Sequence, residues 1–554
     1  MSEIKDFEEK NEESIAETEE KTEGSKSSEE EISEDSEEKK EEDKKGRTGK
    51  KVKPPAVWKI VVVLVLVFVF TFFLTGTIWA LITWSSISMD ELLWHLHGSL
   101  DGANSDMVWQ FVLITVGSGL LVTGGAFFMN WMVRKKRNVI RKRIYRITQI
   151  LAAVLLVGAL TTGWIGFGIG DYIKYQMTRE SYIADNYVDP ASVEITFPEK
   201  KRNLIVIYME SMEMTFSDKE HGGAFEKNVI ADLTQLAEED YSENFSGNSG
   251  ILNGGIALPG AIWTMGALFG TTAGLPLKTP LGQNGMGANK DFFPGVITMG
   301  DILKKEGYQN RMIMGSDVNF GGCRKYFESH GDYVIHDYKY AQEVGLISED
   351  YKVWWGYEDE KLFAYAKDEL KELAAGDQPF SLVLQTMDTH FEDGHSCPLC
   401  HKIFGDNKYA NVMDCSSRMV RRFVEWLRTQ DFYENTTIVI TGDHPTMDTD
   451  FCDDVPEEYQ RKVFTCIVNG AAEVKDPGKV RVYSTFDLFP TILAAMGVEI
   501  EGDRLGLGTD LYSDVPTLTE RDSVETVEEK MNCRSPLMVD MFYGNYEHPA
   551  AGGK

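Results

Sequence analysis

The chain has 554 residues, more than one hydrophobic core usually organises, so a large folded unit plus other material is expected. Its 87 Asp and Glu against 56 Lys and Arg give a formal net charge of -31, which argues against nucleic acid as a partner. The acidity is concentrated at the start: residues 1–43 hold twenty acidic and six basic side chains and almost no large apolar residue, so residues 1–53 are predicted to be a disordered tail, too poor in apolar surface to offset its chain entropy.

Three apolar stretches follow. Residues 60–84 form a nearly uninterrupted apolar run, long enough to cross a hydrocarbon core of about 30 Å and too far from the first residue for a cleaved signal. Residues 107–133 and 147–169 are the second and third predicted spans. Trp58, Trp84, Trp109, Trp131 and Trp164 lie near their ends, where indole rings favour the interface. Lys44, Lys45, Arg47, Lys50, Lys51 and Lys53 precede the first span, and eight Lys or Arg between Arg134 and Arg146 separate the second from the third. The stretch from Ser85 to Asp106 has none. The positive-inside rule then predicts a cytoplasmic tail, three crossings within 54–170, and an extracellular remainder, read as a connector (171–199), a large folded domain (200–515) and a C-terminal extension (516–554).

From Asn203 onward, short apolar runs alternate with helix-period segments, the pattern of a parallel sheet covered on both faces. Residues 203–209, 381–387, 436–442 and 463–469 read as buried strands. Helical periodicity runs over 224–238, 298–306, 360–375, 416–430 and 485–496. Glu210 follows the first strand, Asp388 and His390 the second, and Asp443 and His444 the third. In open α/β sheets ligands bind outside the carboxyl ends of the strands, so these side chains are candidates to converge, although an acid after a strand also serves as a helix cap. Thr264, after a Gly-rich turn at the predicted start of a helix, would stand beside unpaired backbone N–H groups suited to a phosphate.

The seven cysteines include a Cys397-Pro-Leu-Cys400 pair, with Cys415, Cys452 and Cys466 further along. A zinc knuckle, a redox pair and a disulfide all fit a lone CxxC. Without a second pair or a preceding strand, a disulfide stapling a loop is favoured over metal or redox chemistry.

Five segments together resemble the membrane phosphoglycerol transferases and lipoteichoic acid synthases of the alkaline phosphatase and sulfatase superfamily: NLIVIYMES (203–211), LPGAIWTMGALFGTTAGLPL (258–277), residues 300–333, SLVLQTMDTHFEDG (381–394) and IVITGDHPTM (438–447). The Trp263-Thr264 pair and the Gly-Leu-Pro-Leu run are similar to the branch acting on periplasmic glucans. The resemblance implies an α/β/α domain with a mostly parallel sheet. It implies Thr264 as nucleophile and metal ligand, Glu210, Asp443 and His444 as the other ligands, and His390, with Arg324 and Trp263, as substrate-binding residues. It further implies phosphatidylglycerol as donor and an extracellular hydroxyl (polyglycerolphosphate, glycolipid or glucan) as acceptor.

Two carboxylates, a hydroxyl and an imidazole make a mainly oxygen site, suited to manganese or magnesium. Competing expectations are phosphoethanolamine transfer by the same machinery, or a catalytically inactive membrane scaffold. A sulfatase would need a Cys/Ser-x-Pro-x-Arg motif, which is not found near Thr264. A two-metal phosphatase would need further ligands, for which His330, His336, His395 and His401 are the candidates.

Overall fold

The computed structural model describes residues 52–84, 87, 89, 91–93, 105–247, 249–278, 291–448 and 450–549. The acidic tail and most of the stretch between the first two apolar segments therefore lie outside the described residues.

Three helices are long and apolar enough to cross a membrane: α1 (Val57–Thr83), α2 (Ser105–Met132) and α3 (Asn138–Gly166). Helix α1 packs between the other two. Small residues let the helices approach closely: Gly119 lies under Phe68, and Gly158 and Gly166 face Leu74 and Leu81. Thr75 bonds Ser118 across α1 and α2 at 3.0 Å, and Asn130 donates to Thr148 across α2 and α3 at 2.9 Å. The third helix begins nine residues before its predicted start, which puts Arg141, Lys142, Arg143 and Arg146 on its first turns rather than in a connecting loop. Long basic side chains allow this, because their stems lie along an apolar helix while the charges reach the headgroup level. Gly168, at a left-handed φ of 59°, ends the helix, and a short helix (Ile169–Met177) leads away.

The remaining chain folds around a central sheet. Its strands are β1 (Asn203–Met209), β2 (Ser242–Glu243), β3 (Gln309–Met314), β4 (Val334–His336), β5 (Phe380–Gln385), β6 (Thr436–Gly442) and β7 (Val463–Val468). The spatial order is β2-β7-β6-β1-β5-β3-β4, with Gly254–Gly255 pairing additionally with β7. From β6 to β4 all neighbours are parallel; β7 runs antiparallel to both β6 and β2. The predicted α/β class with a mostly parallel sheet is what forms. Strands β1, β5 and β6 are adjacent and buried on both faces, as their unbroken apolar runs require. One apolar layer packs against Leu204, Val206 and Tyr208 of β1, the other against Ile205, Ile207 and Met209.

Helices relevant to the site are α4 (Thr264–Ala273), α5 (Asp359–Ala374) and α6 (Lys408–Leu427). The segment after α3 is docked on the chain's end: Tyr182 donates to Asp522 at 2.7 Å, Lys530 reaches Glu180 at 3.0 Å, and Tyr546 donates to Asp189 at 2.8 Å. That docking sets how the helical anchor is held to the α/β body.

Gly442, the last residue of β6, has no room for a side chain, because a Cβ there would stand 1.8 Å from the carbonyl oxygen of Met212. Gly442→Ala is expected to lower stability by about 1–3 kcal/mol through overpacking. It would show as a reduced thermal unfolding midpoint of the purified protein.

Candidate active site

Adjacent parallel strands deliver the first two groups. Met209 pairs with Gly442 at the ends of β1 and β6, so the next residues, Glu210 and Asp443, emerge side by side. Ser211 takes a left-handed φ of 55°, turning the chain sharply away after the glutamate. Both carboxylates are fully buried. Glu210 accepts a hydrogen bond from the Ser211 hydroxyl at 2.8 Å, and Asp443 accepts from the backbone N–H groups of Ser211 and His444, each at 2.8 Å.

His444 lies with its Nε2 3.5 Å from Glu210 and 3.6 Å from Asp443. Its Nδ1 is 2.9 Å from the carbonyl oxygen of Pro445, which can only accept, so Nδ1 carries the proton and Nε2 presents a lone pair to the carboxylates. Thr264 is the first residue of α4. Its Oγ1 lies 3.5 Å from Glu210 Oε2 and 3.4 Å from His444 Nε2. Glu210, Thr264, Asp443 and His444, separated by up to 234 positions, therefore meet in one pocket.

This donor set fits a divalent cation. Separations of 3.4–3.6 Å are those of ligands surrounding an ion at about 2.1 Å. A neighbouring acid sharpens the case. Glu213 is equally buried, but Arg461 bonds it at 2.9 Å and the Thr446 N–H at 2.9 Å. Among the described residues no Lys or Arg pairs with Glu210 or Asp443, and an imidazole is their only basic partner. Burying two carboxylates this way is costly unless a cation from outside joins them. The protonation preferences agree: burial and the nearby Glu210 push the Asp443 carboxyl up to about 7. Burial alone lowers the His444 imidazole, but Asp443 and Glu210 outweigh it and raise it overall, with Glu91 adding to the negative field.

His390 lies on the loop after β5, half-buried, with its ring 4.7 Å from Trp355 and stacked at 4.8 Å on Phe391. Burial pushes its imidazole down to about 4; the Phe391 carbonyl opposes this shift and His444 reinforces it. The ring is thus neutral at pH 7. Nδ1 donates to the Phe391 carbonyl oxygen at 2.8 Å, leaving Nε2 as an acceptor.

Other sequence candidates are placed differently. Asp388, although it follows β5, does not join the cluster: it is buried, Oδ2 has no partner, and burial together with Asp359 and Cys397 pushes its carboxyl up to about 10, so it holds its proton. Trp263 is buried at the N-cap of α4. Arg324 is committed elsewhere, donating to Asn319 at 2.9 Å and to Asp337 at 2.7 Å, although the turn at Gly321 on its loop borders Trp263. His330 bonds Asp301 at 2.8 Å and the Phe292 carbonyl at 2.6 Å, and His336 pairs with Glu369 at 3.1 Å. Neither belongs to the metal-capable cluster, so neither supports a second ion there.

Trp355 is a site residue that sequence reasoning passed over. It has no motif of its own, and only the fold sets it against His390. It also lines a cavity of about 830 Å³ between the ends of α1 and α2 (Thr75, Trp79, Gln110) and the loops carrying Trp354, Trp355 and Phe391–Asp393.

Comparison with known proteins agrees with the sequence resemblance. Residues 267–498 match the family model described as Sulfatase, a span that begins just after Thr264 and contains His390, Asp443 and His444. Phosphoglycerol transferase I of Escherichia fergusonii is 29% identical over 433 residues, covering 76% of this chain and 53% of that protein. The chain thus spans about half the length of the curated relatives it matches. Among solved structures, the lipoteichoic acid synthase LtaP from Listeria monocytogenes aligns over 60% of this chain and 81% of its own at 17% identity, with a TM-score of 0.44. The lipooligosaccharide phosphoethanolamine transferase A of Neisseria meningitidis aligns over 80% and 85% at 13% identity, with a TM-score of 0.46.

Because Asp443 must give up a proton before an ion can take its place, cation affinity should depend on pH in one direction. Below about 7 the protonated Asp443 carboxyl competes, and His444, whose imidazole is also raised, competes when charged; affinity is expected to fall by about tenfold or more per pH unit as pH drops and to level off once both have lost their protons. Calorimetric titration of the metal-free protein with manganese at a series of pH values reads both limbs.

Proposed function

We propose that this protein transfers phosphoglycerol from phosphatidylglycerol to an acceptor hydroxyl outside the cell, through a phosphoglyceryl-threonine intermediate on Thr264, with manganese or magnesium held by Glu210, Thr264, Asp443 and His444. The observation that carries the reading is the position of Thr264 Oγ1, 3.4 Å from His444 Nε2 and 3.5 Å from Glu210 Oε2 at the first turn of a helix.

A free threonine hydroxyl is a poor nucleophile. When bound, the cation would supply the acidity that turns it into an alkoxide and would offset charge on the phosphoryl oxygens. The chain's own groups do the rest. Glu210, Asp443 and His444 hold Thr264 in one orientation, and the unpaired N–H groups at the start of α4 favour a bound phosphate. In the first step a bond forms between Thr264 Oγ1 and phosphorus, the bond from phosphorus to the diacylglycerol oxygen breaks, and that oxygen leaves as an alcohol with the proton that Thr264 Oγ1 gives up. In the second, the acceptor oxygen bonds phosphorus and the threonine ester breaks. His390, neutral and with Nε2 open, suits the second step: it accepts the proton, or a hydrogen bond, from the entering hydroxyl.

The donor assignment rests on the residue-level resemblance and on the similarity to a phosphoglycerol transferase, phosphoglycerol transferase I of Escherichia fergusonii. The cavity of about 830 Å³ supports a lipid donor, because it joins the spanning helices to the Trp355 and Phe391 rings around His390. The positive charge flanking the spans supports a cytoplasmic tail and an extracellular catalytic domain.

Purified protein incubated with labelled phosphatidylglycerol and manganese is expected to release diacylglycerol and to carry a phosphoglycerol mass adduct on Thr264. Thr264→Ala should lose both, with turnover down by on the order of 10³-fold or more while the protein still folds. Consumption of phosphatidylethanolamine instead would replace the donor. Unchanged cell-surface function in Thr264→Ala cells would point to a scaffold.

A further inference from the structure

Outside the candidate active site, the described residues contain one other cluster that could hold a metal ion: Cys397, Cys400 and Cys415, with all three sulfurs within 4.8 Å of one another. The expected loop-stapling disulfide is not what forms, since all seven cysteines are free thiols. The Cys397 sulfur is 3.7 Å from that of Cys400 and 3.8 Å from that of Cys415, so it faces two partners at nearly equal range instead of bonding one.

From this arrangement we infer that Cys397, Cys400 and Cys415 bind a zinc ion as a three-thiolate site that fastens the His390 loop to helix α6. The first support is metric. Sulfurs bound to zinc at about 2.3 Å in a tetrahedron stand about 3.75 Å apart, which is the spacing from Cys397 to each of the other two sulfurs. The second is the backbone. Cys397 to Cys400 closes a tight turn in which the Cys400 N–H bonds the Cys397 carbonyl at 3.0 Å, and the Cys400 and Cys415 thiols, with the Leu399 and Cys400 backbone donors, hold the Cys397 thiol well below its usual range. Donors aimed at a sulfur stabilise its anionic, metal-binding form.

The third support is charge. Three thiolates and a zinc ion leave one net negative charge; Arg418, one turn beyond Cys415 on α6, pairs with Asp414 at 2.5 Å, donates to the Leu399 carbonyl at 3.1 Å and also faces the Cys415 thiol. Cys397 and Cys415 are buried, and Cys400 is partly open to solvent, which supplies the fourth ligand. The mainly oxygen donor set around Glu210 and this all-sulfur set would select different ions: sulfur favours zinc, carboxylate and hydroxyl favour manganese or magnesium. The proposal does not depend on the transfer reaction.

The test uses the full chain, purified in detergent without chelator or oxidant. Elemental analysis should find one zinc per chain that survives exchange of the oxygen site into manganese. Replacing that zinc with cobalt should give thiolate-to-cobalt charge-transfer absorption in the near ultraviolet and strong d–d bands in the red, a signature that carboxylate and imidazole ligands do not produce. Cys400→Ser should weaken both bands, whereas Cys452→Ser, outside the cluster, should leave them intact. Cobalt binding without the thiolate band in the unmutated protein would overturn the inference. So would peptide mapping that finds two of the three cysteines joined by a disulfide.

Discussion

Two carboxylates buried side by side without a cationic side chain are the constraint on which the rest of this structure depends. Glu210 and Asp443 leave the ends of neighbouring parallel strands at the same level, and among the described residues no charged group neutralises them beyond the imidazole of His444. The fold shows that it can treat buried acids otherwise. It gives Glu213 an arginine, and it leaves Asp388 in surroundings that keep it protonated. At the β1 and β6 ends two acids are kept close without a Lys or Arg partner, with a hydroxyl and an imidazole lone pair facing them. Such an arrangement is stable when an ion joins it, and it leaves Thr264 where that ion's charge would act on its oxygen.

Sheet order makes this meeting possible. Strand β1 is central, with β6 on one side and β5 on the other, so the groups that follow the three strands come from one edge of the sheet although they are spread over 235 positions of chain. Helix α4 then brings Thr264 in from outside the sheet, with its first turn directed at the same point. Adjacent parallel strands fix the separation of Glu210 and Asp443 within one strand spacing, which no loop-borne pair could hold as firmly.

Legibility in the sequence followed the physics of each element. Strands β1 and β6 were readable to the residue because burial on both faces writes an unbroken apolar run, and the acids after them stand out against it. Strand β3 was missed: QNRMIM carries Asn310, which is buried by bonding the Gly300 and Gly331 carbonyls, and Arg311, which pairs with Glu369 at the flank, so its polar half hides the strand. Helix α6 begins at Lys408, eight residues before its predicted start, because Asn407 caps it and Tyr409 buries its ring beneath the active-site loops. That early start carries Cys415 into α6 and brings it to the CxxC turn, a convergence that linear spacing does not show. Trp355 gave no signal for the same reason, since an indole on a loop acquires meaning only from the rings it meets.

The segment from Thr386 to Asn407 ties these observations together. It leaves the sheet beside Glu210, whose carbonyl accepts a 2.6 Å bond from Thr389, then carries His390, forms one wall of the membrane-side cavity with Phe391–Asp393, and ends at the cysteine turn and the cap of α6. Under the proposed reaction such a loop has to be rigid at both ends, because a displacement of His390 by an ångström would separate its Nε2 from the hydroxyl proposed to meet it. The sheet fixes one end through Thr389 and the Asp359 carboxylate, which accepts from the Met387 and Asp388 amides at 2.8 and 3.1 Å. At the other end, Cys397, Leu399 and Phe404 pack against the core beside a stretch rich in exposed residues, and a cross-link through sulfur would supply there what the sheet supplies at the start. The middle, where Phe391 and Trp355 meet the cavity, is then the part that the proposed lipid donor would contact from the side of the apolar helices.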